Sequence, residues 1–467
     1  MTVSLEPAPL VRTSRLAALL LTLSLGLGHA SLAGAQAFPN PPRIERLPNG
    51  LTVISLQTDS PGIIAYYTLV RVGARDEVET GHSGYAHLFE HMMFRGTETY
   101  PQARYEETIQ SFGADNNAYT TQDYTVYTLT SPSTGLAQIV ELEADRYQHL
   151  DYEESAYQTE SGAVLGEYNT SVSSPFLKMW EALSEISFGQ HTYGHTTLGY
   201  LRDITRMPEE YEYSRRFFTR FYTPDNCTVI VAGDVDHDAL MTAVRARYGA
   251  WRGRRAQPRV PTEPEPTAGA RRHIDWPSQA APRMFVAWRR PAFVSGRRER
   301  ARRSALRTTA ALRVVHGLAF SEPSPLYQRL VVQEQRAIEL GSWADELSRD
   351  PHLFVAHATL RDGEAFDPTI ADMQTTLDAL GRGEVDAERL EAVKSHVRYA
   401  MLSDLETPSD VANLAALIIG VGGSLEALDR YLEELAAVTA EDVARVAREY
   451  LTESRRFVVT LSHGSAE

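Results

Sequence analysis

The chain has 467 residues, a formal net charge of −15 and one cysteine. That length exceeds one ordinary core, so two or more domains are expected. The acidity argues against a nucleic-acid binder, whose affinity comes from Lys and Arg neutralising phosphates. With Cys227 alone, intramolecular disulfides and cysteine-cluster metal sites are excluded.

At the N-terminus Arg12 and Arg15 precede an apolar run, LAALLLTLSLGLG from Leu16 to Gly28, and small residues follow to Ala37. This is the pattern of a secretory signal, residues 1–37, with cleavage expected after Ala37. The run is shorter than the roughly 20 residues a membrane span needs. No later segment is more apolar, so no transmembrane segment is expected in the mature chain. A secreted protein, in a bacterial periplasm, is implied. Loss of Glu6, Arg12 and Arg15 leaves the mature chain one unit more acidic.

RIERLPNGLTVISLQ reads as two strands around Pro48-Asn49-Gly50, a hairpin turn. IIAYYTLVRVGA is a further strand, and SGYAHLFEHMMFRGT and YEETIQSFGA read as helices. NAYTTQDYTVYTLT is β-rich and broken near Gln122-Asp123. Helical patterns run from Ser133 to about Phe188, EEYEYSRRFFTRFY is an amphipathic helix, and CTVIVAGDVD is a buried strand that hides Cys227.

The stretch 258–272, rich in Pro, Glu, Thr and Gly, reads as a linker. Beyond it the plan repeats. RMFVAWRR is a strand, RERARRSALRTTAALRVVHGL a helix and HLFVAHATLRD a strand, followed by helices. MPEEYEYSRRFFTRFYTPDNCTVIVAG and TAEDVARVAREYLTESRRFVVTLS close the two halves in the same order. The order suggests duplication. Two α+β domains are expected, 38–257 and 273–467, each an antiparallel sheet with helices packed on one side.

The chemistry centres on His87-Leu88-Phe89-Glu90-His91. Residues four apart share one helix face, so His87 and His91 could both reach one zinc, with Glu90 beside it and free to act as a base. Ser83 or Gly84 can begin this helix and Gly96 can end it. A core helix with two ordinary histidines fits the same five residues. His82 lies off the ligand face, and His191 and His195 flank Gly194 in a loop-like stretch that suits structural roles.

GYAHLFEHMMFRGT resembles the signature of the pitrilysin-like inverzincin peptidases, which include mitochondrial processing peptidases and insulin-degrading enzyme. The resemblance implies a third ligand, a glutamate about 76 residues past the second histidine, and Glu167 stands there. Glu160 matches a second family glutamate, a candidate for orienting a histidine, although Ser161 follows it where the family usually has Arg. GADNNAYTTQDYTVY resembles the strand that holds extended substrate at a sheet edge, which carries over to Asn117, Ala118 and Thr120. The resemblance therefore implies a Zn2+-dependent endopeptidase acting on peptides or unfolded protein segments. His87, His91 and Glu167 would be its metal ligands, Glu90 the catalytic base, and two halves would form a clamshell. Single-chain members also carry an Arg and a Tyr in the second half. Aligned on Glu334, those positions hold Gln333 and Leu340. A homologous partner subunit supplying Arg and Tyr is one expectation. The alternative function is a non-catalytic structural or assembly subunit, like respiratory-complex core proteins that resemble the family.

Overall fold

The computed structural model describes residues 37–464 apart from 39, 297, 344–346 and 404. Residues 1–36 of the expected signal segment lie outside that range. Two sheets organise the chain. The first contains β1 (Arg43–Arg46), β2 (Thr52–Gln57), β3 (Ile63–Val70), β4 (Asp115–Thr120), β5 (Thr125–Pro132) and β6 (Cys227–Gly233), in the order β1-β2-β6-β3-β5-β4. The second contains β7 (Ala270–Trp276), β8 (Arg283–Arg290), β9 (Ala337–Trp343), β10 (His352–Leu360) and β11 (Phe457–His463), in the order β7-β11-β8-β10-β9. Setting β1 aside, the two orders agree strand for strand, so the repetition read in the sequence is also a repetition of topology.

The sheets depart from pure antiparallel pairing at one place each. β2 runs parallel to β6, and β7 parallel to β11. β6 and β11 return only after long helical stretches, which is the connection a parallel pair requires. β3 and β6 are nearly continuous apolar runs because both their faces are buried. β7 and β9 carry no such run and were not anticipated as strands. In β7 four of seven residues are polar, in β9 Glu339 and Ser342 interrupt the apolar residues, and each strand sits at a sheet edge. The stretch expected as linker ends inside β7, where Ala270, Arg271 and Arg272 pair with Phe457, Val458 and Val459. Partner strands, not local composition, make it a strand.

Five helices of the first half matter for the site: α1 (Tyr85–Met92), α2 (Gln102–Ser111), α3 (Leu136–His149), α4 (Glu154–Ser171) and α5 (Pro175–Ser187). α1 and α3 help form the core on one face of the first sheet, with Val53, Tyr66, Tyr127 and Val231. The opposite face, through Ile54, Ala65, Tyr67 and Ile230, packs into the second half's core, where helix Pro408–Gly422 covers it. A Cβ on Gly420 of that helix would stand 2.4 Å from the Tyr124 ring, so only glycine permits this approach. The exchange is reciprocal. α5 leaves its own sheet and places Met179, Ala182 and Leu183 on Phe285, Val355 and Val459 of the second. Burying Met179 and Leu183 contributes about 2–3 kcal/mol each. Each sheet thus keeps its own helices on one side, as expected, and borrows a helix for the other.

Charged groups bracket the two halves as well. Arg75 Nε lies 2.6 Å from Asp350, which also meets His191 Nε2 at 3.0 Å. Arg349 Nη1 meets Asp76 at 3.2 Å, and its backbone N–H donates to Asp123 at 2.9 Å. Among the described residues no single helix is long and apolar enough to cross a membrane.

Candidate metal centre

α1 has eight residues, and its start is tightly built. Gly84 caps it at φ 90°, and a Cβ there would lie 2.7 Å from Leu198 O. That backbone and that contact both demand glycine. The fully buried Glu77 accepts hydrogen bonds from the N–H groups of Gly84 at 2.8 Å and Ala86 at 2.7 Å, satisfying donors that a helix start leaves open. Burial pushes the Glu77 carboxyl up to about 8 against those bonds. Ser83 Oγ donates to Asp203 at 2.6 Å and accepts from Tyr200 N–H at 2.8 Å. Tyr85, Leu88, Phe89 and Met92 fill the core below, with Phe89 stacked on Phe217. The helical period then turns His87 and His91 toward α4.

α4 presents Glu160 and Glu167, two turns apart, on the side that packs against α1. Glu167 Oε2 lies 3.4 Å from His87 Nε2 and 3.4 Å from His91 Nε2, and one donor atom from each of the three residues falls within 4.8 Å of the others. Two ligands of one tetrahedral zinc stand about 3.3 Å apart, so the donor set has the right chemistry and the right spacing. The two rings are held differently. His91 Nδ1 is 3.0 Å from Glu160 Oε1, which leaves Nε2 as the lone-pair nitrogen. His87 is 7% exposed, and its Nδ1 has no partner among the described residues. Burial, then the His91 ring, push it down to about 4, so it is neutral and able to ligate. Glu167 is exposed.

Glu90 is half-buried beside His91. Burial raises its carboxyl, and a hydrogen bond with Thr120 opposes that. Thr120 ends β4, the edge strand, whose outer side has no strand paired to it among the described residues. Asn117 and Ala118 lie on that strand. Asn117 is exposed and its Oδ1 accepts from Ala118 N–H at 2.9 Å. Sequence reasoning missed Arg95. In the turn after α1, its guanidinium pairs with Glu160. Ser161 is fully buried and donates to Tyr157 O. The cation expected beside Glu160 in sequence therefore arrives from another element. Glu77 was missed too, since nothing local in the sequence marks a carboxylate that will cap a helix seven residues on.

The other histidines sit elsewhere. His82 stacks on Tyr213 at 3.8 Å, and His191 and His195 flank a single turn at Thr192–Gly194. Cys227 is buried, and burial pushes its thiol far up. In the second half Leu340 is buried in β9, while Arg329 and Arg336 both pair with Asp372, at 2.7 and 2.6 Å.

A short helix with two converging histidines and a glutamate from a neighbouring helix form a candidate metal centre on a twice-repeated α+β fold. The chain belongs to the M16 peptidase family: residues 53–200 match the family described as insulinase (peptidase family M16), and residues 210–397 match the peptidase M16 inactive domain. It is similar to the zinc protease PqqE of Helicobacter pylori, 26% identical over 89% of this chain and 91% of that one. It is also similar to the mitochondrial-processing peptidase subunit beta of Blastocladiella emersonii, 25% identical over 93% of each chain. The first half of the periplasmic protease PqqL from Escherichia coli shares the fold at TM-score 0.73, with 19% identity over 91% of this chain and 92% of that one.

Proposed function

We propose that this chain is a zinc-dependent endopeptidase that cuts peptides or unfolded protein segments. His87, His91 and Glu167 hold the metal and Glu90 is the catalytic base. The reading is carried by the 3.4 Å separations from Glu167 to both histidine Nε2 atoms. A scaffold subunit has no need of that donor set with Glu90 beside it. Bound zinc would polarise the scissile carbonyl and make water more acidic. Glu90 takes the proton of the attacking water and passes it to the leaving amine. Its half-buried setting raises its basicity for that exchange. Glu160 holds the His91 tautomer, and Arg95 steadies Glu160. The open side of β4 suits an extended peptide added as a strand, with Asn117 and Ala118 along it.

The division into domains 38–257 and 273–467 belongs to the same proposal, with the catalytic groups in the first. So does export to the periplasm, supported by the N-terminal apolar run. A homologous partner supplying Arg and Tyr is supported by Gln333, by buried Leu340, and by Arg329 and Arg336 being held on Asp372. The test is metal content. The mature protein should bind about one zinc per chain, and His91→Ala should lose most of it. Full occupancy in that variant would remove His91 from the site. Adding a homologue with Arg and Tyr should raise peptidase activity about 10²-fold, the worth of a missing oxyanion donor. Full activity of the single chain, unchanged by any partner, would sink the divided site.

A further inference from the structure

The outer edge of β4 has room for a peptide, but its backbone donors are not all free. Register decides which of them face outward. Thr121 N–H donates to Tyr124 O at 2.8 Å, so the pair that closes the β4–β5 hairpin is hydrogen-bonded. Antiparallel pairs alternate between bonded and non-bonded. Counting back along the ladder, Tyr119–Val126 and Asn117–Thr128 are bonded pairs, and Thr120–Thr125, Ala118–Tyr127 and Asn116–Leu129 are not. The N–H groups of Asn116, Ala118 and Thr120 therefore point away from β5, to the free edge. The two nearest the metal helix are already taken. The Glu90 carboxylate accepts from Thr120 N–H as well as from the Thr120 hydroxyl. Asn117 Oδ1 accepts from Ala118 N–H at 2.9 Å. Asn117 sits at an exposed position, so its side chain has space to swing aside.

An unguarded edge donor invites pairing with any passing chain, and edge strands carry devices against it. Here the device lies where a substrate has to pair. With Thr120 N–H held by Glu90, Ala118 N–H is the first outward donor past Glu90 that a substrate carbonyl can take, and Asn117 occupies it. We propose that Asn117 is a latch on the substrate strand, an inference that rests on the peptidase reading above. Its amide oxygen holds the place of a substrate carbonyl and swings away when an extended peptide pairs with β4. The latch also selects. A segment that offers one carbonyl exchanges one hydrogen bond for another and gains nothing. A segment extended far enough to pair at Asn116 as well makes further backbone bonds that offset the one opened. The substrate class it favours is therefore an unfolded stretch that lies along the edge past Ala118.

A latch and a plain contact predict opposite signs. A side chain that only touches substrate loses affinity when it is truncated, whereas removing a latch frees the donor and raises affinity. The test uses the full zinc-loaded chain carrying Glu90→Gln, which is expected to bind without cutting and whose amide oxygen can still accept from Thr120 N–H. The probe is a fluorescein-labelled unstructured peptide followed by fluorescence anisotropy. Adding Asn117→Ala should lower Kd about three- to ten-fold. Adding Asn117→Asp should raise it, because a carboxylate bonds Ala118 N–H more strongly than an amide does. A Kd that rises or stays the same in Asn117→Ala overturns the latch, as does an Asn117→Asp chain that binds as tightly as Asn117→Ala. A second measurement needs no peptide. Hydrogen–deuterium exchange on fragments covering 116–120 should show one amide exchanging faster in Asn117→Ala than in the wild-type chain. Tighter binding with faster exchange, where the wild-type chain cuts nothing, keeps the latch and places the failure on the peptidase reading. Unchanged exchange overturns the latch.

Discussion

The two halves share a strand order, yet among the described residues only the first gathers a candidate metal site. The difference lies in what connects matching strands. Between β3 and β4 the chain makes α1, stopped after eight residues, and then α2. Between β8 and β9 the first helix runs to 21 residues, Glu299–Ala319, buried along its length from Ala305 onward, and only then does a short helical stretch at 325–333 follow. A helix buried along most of its length in a core has little face left for a ligand. Its His316 meets Ser342 Oγ at 2.6 Å, and burial pushes it down to about 4. The sheet sets where a connection passes. The length and ends of the helix set whether its side chains can meet a ligand.

The largest test of that contrast is Glu90→Gln. Zinc should stay while turnover falls by about 10³-fold or more. Activity within a few-fold of wild type would take Glu90 out of the chemistry. Leu183→Ala asks whether the halves are energetically one body. Leu183 is fully buried on the second sheet though it belongs to the first half, so the variant should lose about 2–5 kcal/mol in denaturant unfolding. Two separated transitions in the wild type would contradict a shared core. Glu160→Gln should weaken zinc binding by about 10–100-fold through His91, and unchanged affinity in a competition titration would show that Glu160 orients nothing. The smallest effect is a slope. Glu77 is raised from 4.5 to about 8 in the folded chain. Between those values the folded state keeps a proton that the unfolded chain has released. Its contribution to stability therefore falls as pH rises from about 4.5 through about 8. Urea midpoints at pH 5 and pH 8 should differ less in Glu77→Gln than in wild type, and equal differences would clear Glu77 of the slope.

What was legible in the sequence was mostly local. His87, Glu90 and His91 lie within one and a half helical turns, and Glu160 and Glu167 are two turns apart on one helix. β3, β6, β8 and β10 announce themselves by buried runs. The distant relation of Glu167 to His91 came only from a family resemblance. Arg95 was illegible because its partner Glu160 is brought to it by α4 packing on α1. β7 was illegible because an edge strand needs few apolar residues, and β9 because its apolar residues are interrupted by Glu339, Gly341 and Ser342 and form no run. The destination of α5 was hidden for another reason. An apolar stripe says that a helix is covered and not which sheet covers it.

The exchanged helices change what cutting this chain would do. α5 belongs to one half by sequence and to the other by contact, and helix Pro408–Gly422 does the reverse. A protease that nicked the exposed stretch near 258–262 would therefore leave two fragments clasped together. Either fragment made alone would display a bare apolar sheet face and an orphaned helix. The halves are better regarded as a complementing pair joined by a tether than as two domains that could be separated and kept.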